Sequence, residues 1–239
     1  MKKDDIVFFT EVPGLPEIES IKYGKDSMPD WFLNTPSFAP HQLNNEEKHI
    51  GMGTIRTCPA VSDLFGMAYI IPMWCDFYLN VTEDVLVWRN SNDIFKANTH
   101  LDYQFKDHIP EYAKKDIKAV FKPLCPWRIK TPPGISMLQL PASYHFNKDF
   151  TVPIGIIDTY IWPELNPQIL INRCGEIFIE KGTPLSMLVP IENKRYNTII
   201  REATPEDIKW QHKTYNMHLS KFQNRFRAMK KKLCPYHGK

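Results

Sequence analysis

Apolar residues in this chain come in short runs broken by proline, glycine and clustered acids, a pattern that fits strands better than helices. Ile6-Val7-Phe8-Phe9 predicts a first strand, and Val12-Pro13-Gly14-Leu15-Pro16 predicts a turn after it. Met28-Pro29-Asp30-Trp31-Phe32 has the form of an amphipathic anchor opened by proline, with Trp31 and Phe32 packing on the domain. Residues 58 to 66 predict a short helix closed by Gly66 as a C-terminal cap. The run from Ala68 to Leu79 is apolar and aromatic almost throughout. With the polar Thr82-Glu83-Asp84 turn and Val85-Leu86-Val87-Trp88 after it, the run predicts two paired, largely buried strands.

Further along, Pro110 to Phe121 reads as a turn of helix entering a strand, and residues 123 to 192 read as a β-rich unit. Ile177 and Ile179 alternate there with Glu176, Phe178 and Glu180, while Leu185, Met187, Val189 and Ile191 alternate with Ser186, Leu188 and Pro190. Lys181-Gly182-Thr183-Pro184 joins the two runs as a turn that needs a positive φ at its glycine. From Thr204-Pro205-Glu206-Asp207 the pattern changes to helix, with Thr204 as N-cap and Pro205 at the first helical position. An aromatic stripe of Trp210, Tyr215, His218, Phe222 and Phe226 would lay this helix back on the core.

Twenty prolines against ten glycines reinforce the β reading, because proline removes a ladder donor and is driven to strand ends and edges. The fold class expected is mainly β, a β-clip-like sandwich or barrel with a peripheral C-terminal helix. With 239 residues, 43% of them apolar, and a mean hydropathy of -0.38, the chain can bury a core without metal or disulfides. The expected division is an N-terminal extension over 1–50 packing on the core, a β-rich core over 51–203, and a basic helix and tail over 204–239.

Charge changes this picture little. The formal net charge of +3 is too small for its field to argue for a nucleic-acid partner, and the basic excess gathers in the tail. Lys230, Lys231 and Lys232 there are either a solvated end or a contact to nucleic acid. Cysteines at 58, 75, 125, 174 and 234 never form a C-x-x-C pair, so no zinc knuckle or disulfide framework is implied. No signal-peptide core follows Met1 and no run reaches membrane-span length, so a reducing cytoplasm and no membrane are expected.

Candidate chemistry is sparse. His100-Leu101-Asp102 has the spacing of two ligands of a non-heme iron facial triad, with His108 or the better-spaced His145 as third; a satisfied surface pair explains the same residues. Asp158, among Ile156, Ile157 and Tyr160, is either a buried carboxylate of raised pKa or a turn aspartate bonding the backbone near Thr159. Ser136 follows Gly134 but lacks the second glycine of a nucleophile elbow.

Three segments carry a resemblance. Thr131-Pro132-Pro133-Gly134-Ile135-Ser136, Gly155-Ile156-Ile157-Asp158-Thr159 and Lys181-Gly182-Thr183-Pro184-Leu185 resemble an uncharacterised family of bacterial and tailed-phage proteins. The likeness covers roughly 25–225 and departs at Ile135, Ser186 and Met187. Its signature positions are Pro133, Gly134, Asp158, Gly182, Thr183 and Pro184. The order of strands around Asp158 is also similar to the β-clip core of dUTPase and dCTP deaminase. That likeness implies that Asp158 would position a water and Tyr160 would pack on a base. The Arg-Ser-Ser phosphate motif and glycine-rich arm of those enzymes have no counterpart in this sequence, so the likeness implies fold more than function.

The resulting expectation is a non-catalytic structural or interaction protein, phage-encoded, located in the host cytoplasm or the virion. Its partners would be further copies of itself or other structural proteins, and it would need no cofactor. A nucleotide-binding or nucleotide-hydrolysing β-clip protein is the first alternative, with Asp158, Tyr160 and Ser136 as ligand residues. A metal-dependent oxygenase using His100, Asp102 and His145 is the second.

Overall fold

The computed structural model describes residues 4–39, 52–192, 194–214 and 224. Its architecture is mainly β, several open sheets packed as a sandwich, and no sheet closes into a barrel among the described residues, so the barrel form of the expectation falls away. The strand Asp5–Thr10 is buried at every position and forms the middle of a three-stranded sheet. It runs antiparallel to Trp127–Lys130 and parallel to Asn197–Glu202. Burial on both faces explains why its sequence shows a continuous apolar run rather than alternation. Ile6 and Phe8 enter the main core, while Phe9 meets Trp210 of a helix over 205–214 at 6.4 Å between ring centroids.

That helix starts as the sequence predicts. The Asp207 N–H donates to the Thr204 hydroxyl oxygen at 3.3 Å, and the Thr204 N–H donates back to the Asp207 carboxylate at 3.0 Å, so the two side chains cap each other's backbone. Arg201 adds an ion pair to the same carboxylate. Burial alone would raise the Asp207 pKa; the Arg201 and Thr204 hydrogen bonds outweigh it and hold the carboxyl below its ordinary range. Of the aromatic stripe, Trp210 is placed; Tyr215, His218, Phe222 and Phe226, and the lysines at 230–232, lie outside the described residues.

A five-stranded sheet orders Gly155–Ile157, Met137–Pro141, Pro184–Pro190, Tyr69–Pro72 and Lys22–Tyr23, every pair antiparallel. Its central strands are covered on both sides. Tyr69, Ile71 and Leu188 face the main core, whereas Ile70, Met187 and Val189 join Phe32, Val61 and Phe65 of two short helices in a second cluster. The anchor read around Met28 is therefore real: a helix spans Asp30–Asn34 with Phe32 buried and Trp31 half-exposed. The other helix spans Pro59–Met67 and runs through Gly66, closing when the Ala68 N–H donates to the Leu64 carbonyl at 3.0 Å. Gly66 is thus an interior helical residue, and its φ is not positive, which corrects the cap expectation.

The run from Ala68 to Leu79 is not one strand. Tyr69–Pro72 belongs to the five-stranded sheet, and only Phe77–Val81 pairs with Leu86–Asn90 as a hairpin. Between them the Met73 N–H donates to the Thr183 carbonyl at 2.8 Å, the Gly182 N–H donates to the Met73 carbonyl at 2.7 Å, and the Lys181 N–H donates to Asp76 Oδ1 at 2.7 Å. Pro72 has no donor to continue its ladder, so the chain leaves the first sheet there and docks on the 181–183 turn. Gly182 sits at φ 86°, as that turn requires, and a Cβ on it would stand 3.6 Å from the Glu19 carboxylate.

The Gly175–Ile179 strand completes the hairpin's sheet on the other side of Phe77–Val81. Its inward residues Ile177 and Ile179, with Phe77, Leu79 and Val81, bury against the main core. A further sheet orders Phe150–Thr151, Ile169–Ile171, Ala119–Pro123 and Ala97–His100 and carries Phe121, which meets Phe77 edge-on at 5.3 Å. Trp127, Phe8, Phe77 and Phe121 are essentially inaccessible, and each such side chain contributes on the order of 1.5–3 kcal/mol through burial. The expected β-rich run from 123 to 192 is accordingly distributed. Its strands pair with segments before residue 124 in four different sheets.

Candidate functional site

Two of the three signature segments are fastened together. Thr131 and Thr159 are both completely buried, and their hydroxyl oxygens stand 2.8 Å apart. Thr131 Oγ1 donates to the Ile135 carbonyl at 2.8 Å, with Thr159 Oγ1 at 3.3 Å from the same oxygen. Gly134, at φ 85°, lets the Pro132–Ile135 turn fold back so that this carbonyl reaches both threonines. The loop is thereby pinned to the end of the Gly155–Ile157 strand. The third segment, at Gly182–Pro184, lies at the start of the Pro184–Pro190 strand, while Ser136 lies beyond its end. There the Ile191 N–H donates to the Ser136 carbonyl at 3.0 Å. A strand of that length separates them by about 20 Å, so the signature residues do not converge on one pocket.

Asp158 opens a tight turn in which its carbonyl accepts the Ile161 N–H at 3.0 Å and the Trp162 N–H at 2.8 Å. The residue is half-buried and Tyr160 is 40% exposed. Asp158, Tyr160 and Ser136 thus sit in one region, around the Thr131–Thr159 lock, and the concave surfaces described next are lined by other residues.

His100 ends the Ala97–His100 strand and shares with Asp102 a cleft of about 290 Å³ that Glu83, Asp84 and Lys118 also line. Burial pushes the His100 pKa down, and Lys122 adds to the effect. Lys118 donates to Glu83 at 3.0 Å, and Asp102 has Lys106 at 3.7 Å. His108 and His145 do not line this cleft. His108 Nε2 stands 2.8 Å from the Tyr103 carbonyl oxygen. His145 lies in a loop where its Nε2 is buried without a hydrogen-bond partner among the described residues, and burial lowers its pKa against a backbone hydrogen bond at Ser27. No group of three or more His, Cys, Asp or Glu side chains is placed to hold a metal ion among the described residues. The triad spacing in the sequence therefore does not become a triad in space.

The more developed surface is one that motif spacing does not mark. The three-stranded sheet of Gly175–Ile179, Phe77–Val81 and Leu86–Asn90 is buried on one side only, and its outer side presents two rows across the strands. The first row is Phe178, Tyr78 and Arg89; the second is Glu176, Asn80 and Val87. Tyr78 and Phe178 stack at 4.7 Å with an interplanar angle of 28°, and the Arg89 guanidinium lies 5.0 Å from the Tyr78 ring centre. This π-stacked, cation-capped ridge stands beside a concavity of about 610 Å³ lined by the same six residues and the backbone between them. Tyr78 is 42% exposed, Phe178 49% and Val87 61%, although all lie in regular strands of one sheet. Alternation was the available signal: with Ile177 and Ile179 inward, Phe178 must face out, and so must Tyr78 between Phe77 and Leu79.

A mainly β sandwich with an aromatic sheet face left exposed among the described residues is the class of molecule that fold and surface define. The chain matches no protein-family model, no curated protein and no solved structure. No helix among the described residues is long and apolar enough to cross a membrane.

Proposed function

We propose that the protein is a non-catalytic structural or interaction component, phage-encoded, that works through the outer face of the Gly175–Ile179, Phe77–Val81, Leu86–Asn90 sheet. The observation that carries this reading is the exposure of Tyr78, Phe178 and Val87 side by side on an ordered sheet whose opposite face is core. Soluble chains rarely leave such a patch uncovered unless something binds there, and aromatic and Arg side chains are the types enriched at binding hot spots. The signature loops support the same reading in another way. The hydroxyls of Thr131 and Thr159 bond each other and the Ile135 carbonyl, which makes these two residues fastenings. The resemblance of those loops to bacterial and tailed-phage proteins supports a place in a particle or its assembly.

Mass spectrometry of purified particles from a phage that encodes the chain tests this. Peptides of the chain at a stoichiometry comparable to known particle components are expected. Their absence from particles and from assembly intermediates, while the chain is abundant in the lysate, removes the structural role.

A further inference from the structure

From the loop over 142–147 and the cavity beside it we infer a binding site for a neutral saccharide. The site is separate from the exposed sheet face, and the inference does not rest on the role proposed above. Tyr144 and Phe146 stand in the left-handed backbone region, at φ 66° and 48°, and are the only residues other than glycine to do so among the described residues. Aromatic residues are costly there, because the Cβ crowds the following carbonyl and no short polar side chain bonds the backbone in return. Such strain persists only where the surroundings over-determine it. Trp31 Nε1 donates to the Tyr144 carbonyl at 2.8 Å, the Tyr144 ring lies 5.9 Å from that of Phe65, and the Nε2 of His145 between the two strained residues is buried. What this fixed loop holds out is the Phe146 ring, 71% exposed and 5.5 Å from half-exposed Trp31. Core burial therefore does not account for its placement.

A cavity of about 210 Å³ opens between this loop, the end of the Met137–Pro141 strand and the Phe150–Thr151 edge strand. It is smaller than the roughly 300–1,000 Å³ of sites for drug-sized ligands and suits about one ring. Tyr144 and Phe146 give its lining aromatic surface, and Ser143, Asn147, Thr151 and Asn172 give it hydroxyl and amide groups. None of the described residues that line it is charged. Lys148 and Asp149 adjoin these residues in sequence without lining the cavity, and Asp149 is paired with Arg173. Asn147 Oδ1 accepts the Asp149 and Phe150 N–H groups at 2.9 and 3.1 Å, so the amide turns its two N–H donors away from that turn. The Ser143 hydroxyl donates to the Pro141 carbonyl at 3.3 Å, which leaves its oxygen as an acceptor. That combination selects the ligand. A sugar ring has a face of C–H groups that packs on an aromatic ring, and a rim of hydroxyls that each give and accept hydrogen bonds. A phosphate would meet no cation in this lining, and a wholly apolar ligand would cover four polar side chains without pairing them.

Saturation-transfer-difference nuclear magnetic resonance of the full chain tests this with the methyl glycosides of glucose, galactose, mannose, rhamnose and N-acetylglucosamine, each at up to about 50 mM. At least one should bind with a dissociation constant of about 1–10 mM, the range open to a ligand of about a dozen heavy atoms. Phe146→Gly accepts the left-handed backbone and deletes an exposed ring; it should weaken binding by about 10-fold or more and leave the melting temperature within about 4 °C of wild type. Phe146→Trp keeps a stacking face and should bind within about 3-fold of wild type. Glucose 6-phosphate should bind no tighter than the methyl glucoside. Absence of binding by all five glycosides overturns the inference, and so does binding indifferent to Phe146→Gly. A melting temperature that drops further in Phe146→Gly makes Phe146 a packing residue and overturns it too. Tighter binding of glucose 6-phosphate, or of a decaproline peptide in place of any glycoside, assigns the cavity to another ligand class and removes the saccharide.

Discussion

Replacing Thr131 and Thr159 by valine, singly and together, tests whether the signature loop is a fastening. The two hydroxyls carry two protons for three contacts: hydroxyl to hydroxyl at 2.8 Å, and each hydroxyl to the Ile135 carbonyl, at 2.8 and 3.3 Å. Either single variant leaves one hydroxyl free to donate to Ile135, so each loses one buried hydrogen bond, about 1 kcal/mol. The double variant leaves the Ile135 carbonyl without either donor, which adds a desolvation cost of about 1–3 kcal/mol. The pair should therefore cost more than the two singles summed, with a coupling of about 1 kcal/mol or more. Urea unfolding at neutral pH reads this as a lower midpoint with unchanged slope, and calorimetry as a melting temperature lower by about 2–4 °C per kcal/mol for a chain of this size. Additive losses, or a double variant as stable as wild type, would refute the shared-acceptor network.

Three further predictions follow from other parts of the fold. His145 is held below its ordinary pKa by burial, and so is His100; the folded state thus binds fewer protons than the unfolded one, and stability should fall as pH drops below about 6.5. His145→Gln should flatten that slope in denaturation measured between about pH 7 and pH 5, and an unchanged slope would show that His145 is not the source. Gly182→Ala places a Cβ at φ 86° beside the Glu19 carboxylate and should destabilise by about 1–2 kcal/mol, read from the urea midpoint; a neutral substitution would contradict the turn geometry. Burial pushes the Cys75 and Cys125 thiols up to about 12, so iodoacetamide at pH 8 should leave both unmodified in the native protein and should react first at half-buried Cys58, and more slowly at Cys174, whose thiol burial and Glu83 push up; peptide mapping that finds Cys125 labelled without denaturant would count against the core assignment.

Much of the fold was legible where one residue type dictates local geometry. Thr204 and Pro205 marked the helix start, Gly182 marked its turn, and the run from Ala68 to Leu79 with Val85 to Trp88 marked a pairing of which only the hairpin Phe77–Val81 against Leu86–Asn90 forms. The break at Pro72 was hidden, because Met73 to Cys75 is as apolar as its neighbours and is buried by contacts from a turn more than one hundred residues away. Gly66 misled for a similar reason: the helix Pro59–Met67 is held by Val61 and Phe65 against Ile70 and Met187, and that packing carries it past a glycine that alone would end it. Motif spacing drew attention to His100, Asp102 and His145, which do not assemble, and passed over Tyr78, Phe178, Arg89 and Glu176. Those four are distant in sequence and become one surface only through strand register.

The central claim is that this surface is where the molecule binds rather than where it folds. Nuclear magnetic resonance tests this most directly, on protein labelled at valine methyl groups and at tyrosine and phenylalanine rings, recorded with and without an excess of disassembled particle components from a phage that encodes the chain. Signals of Val87, Tyr78 and Phe178 should shift or broaden on that addition while those of buried Phe8, Phe121 and Val81 hold still. Signals from Val87, Tyr78 and Phe178 that stay fixed, or shifts that appear only elsewhere on the molecule, would contradict it.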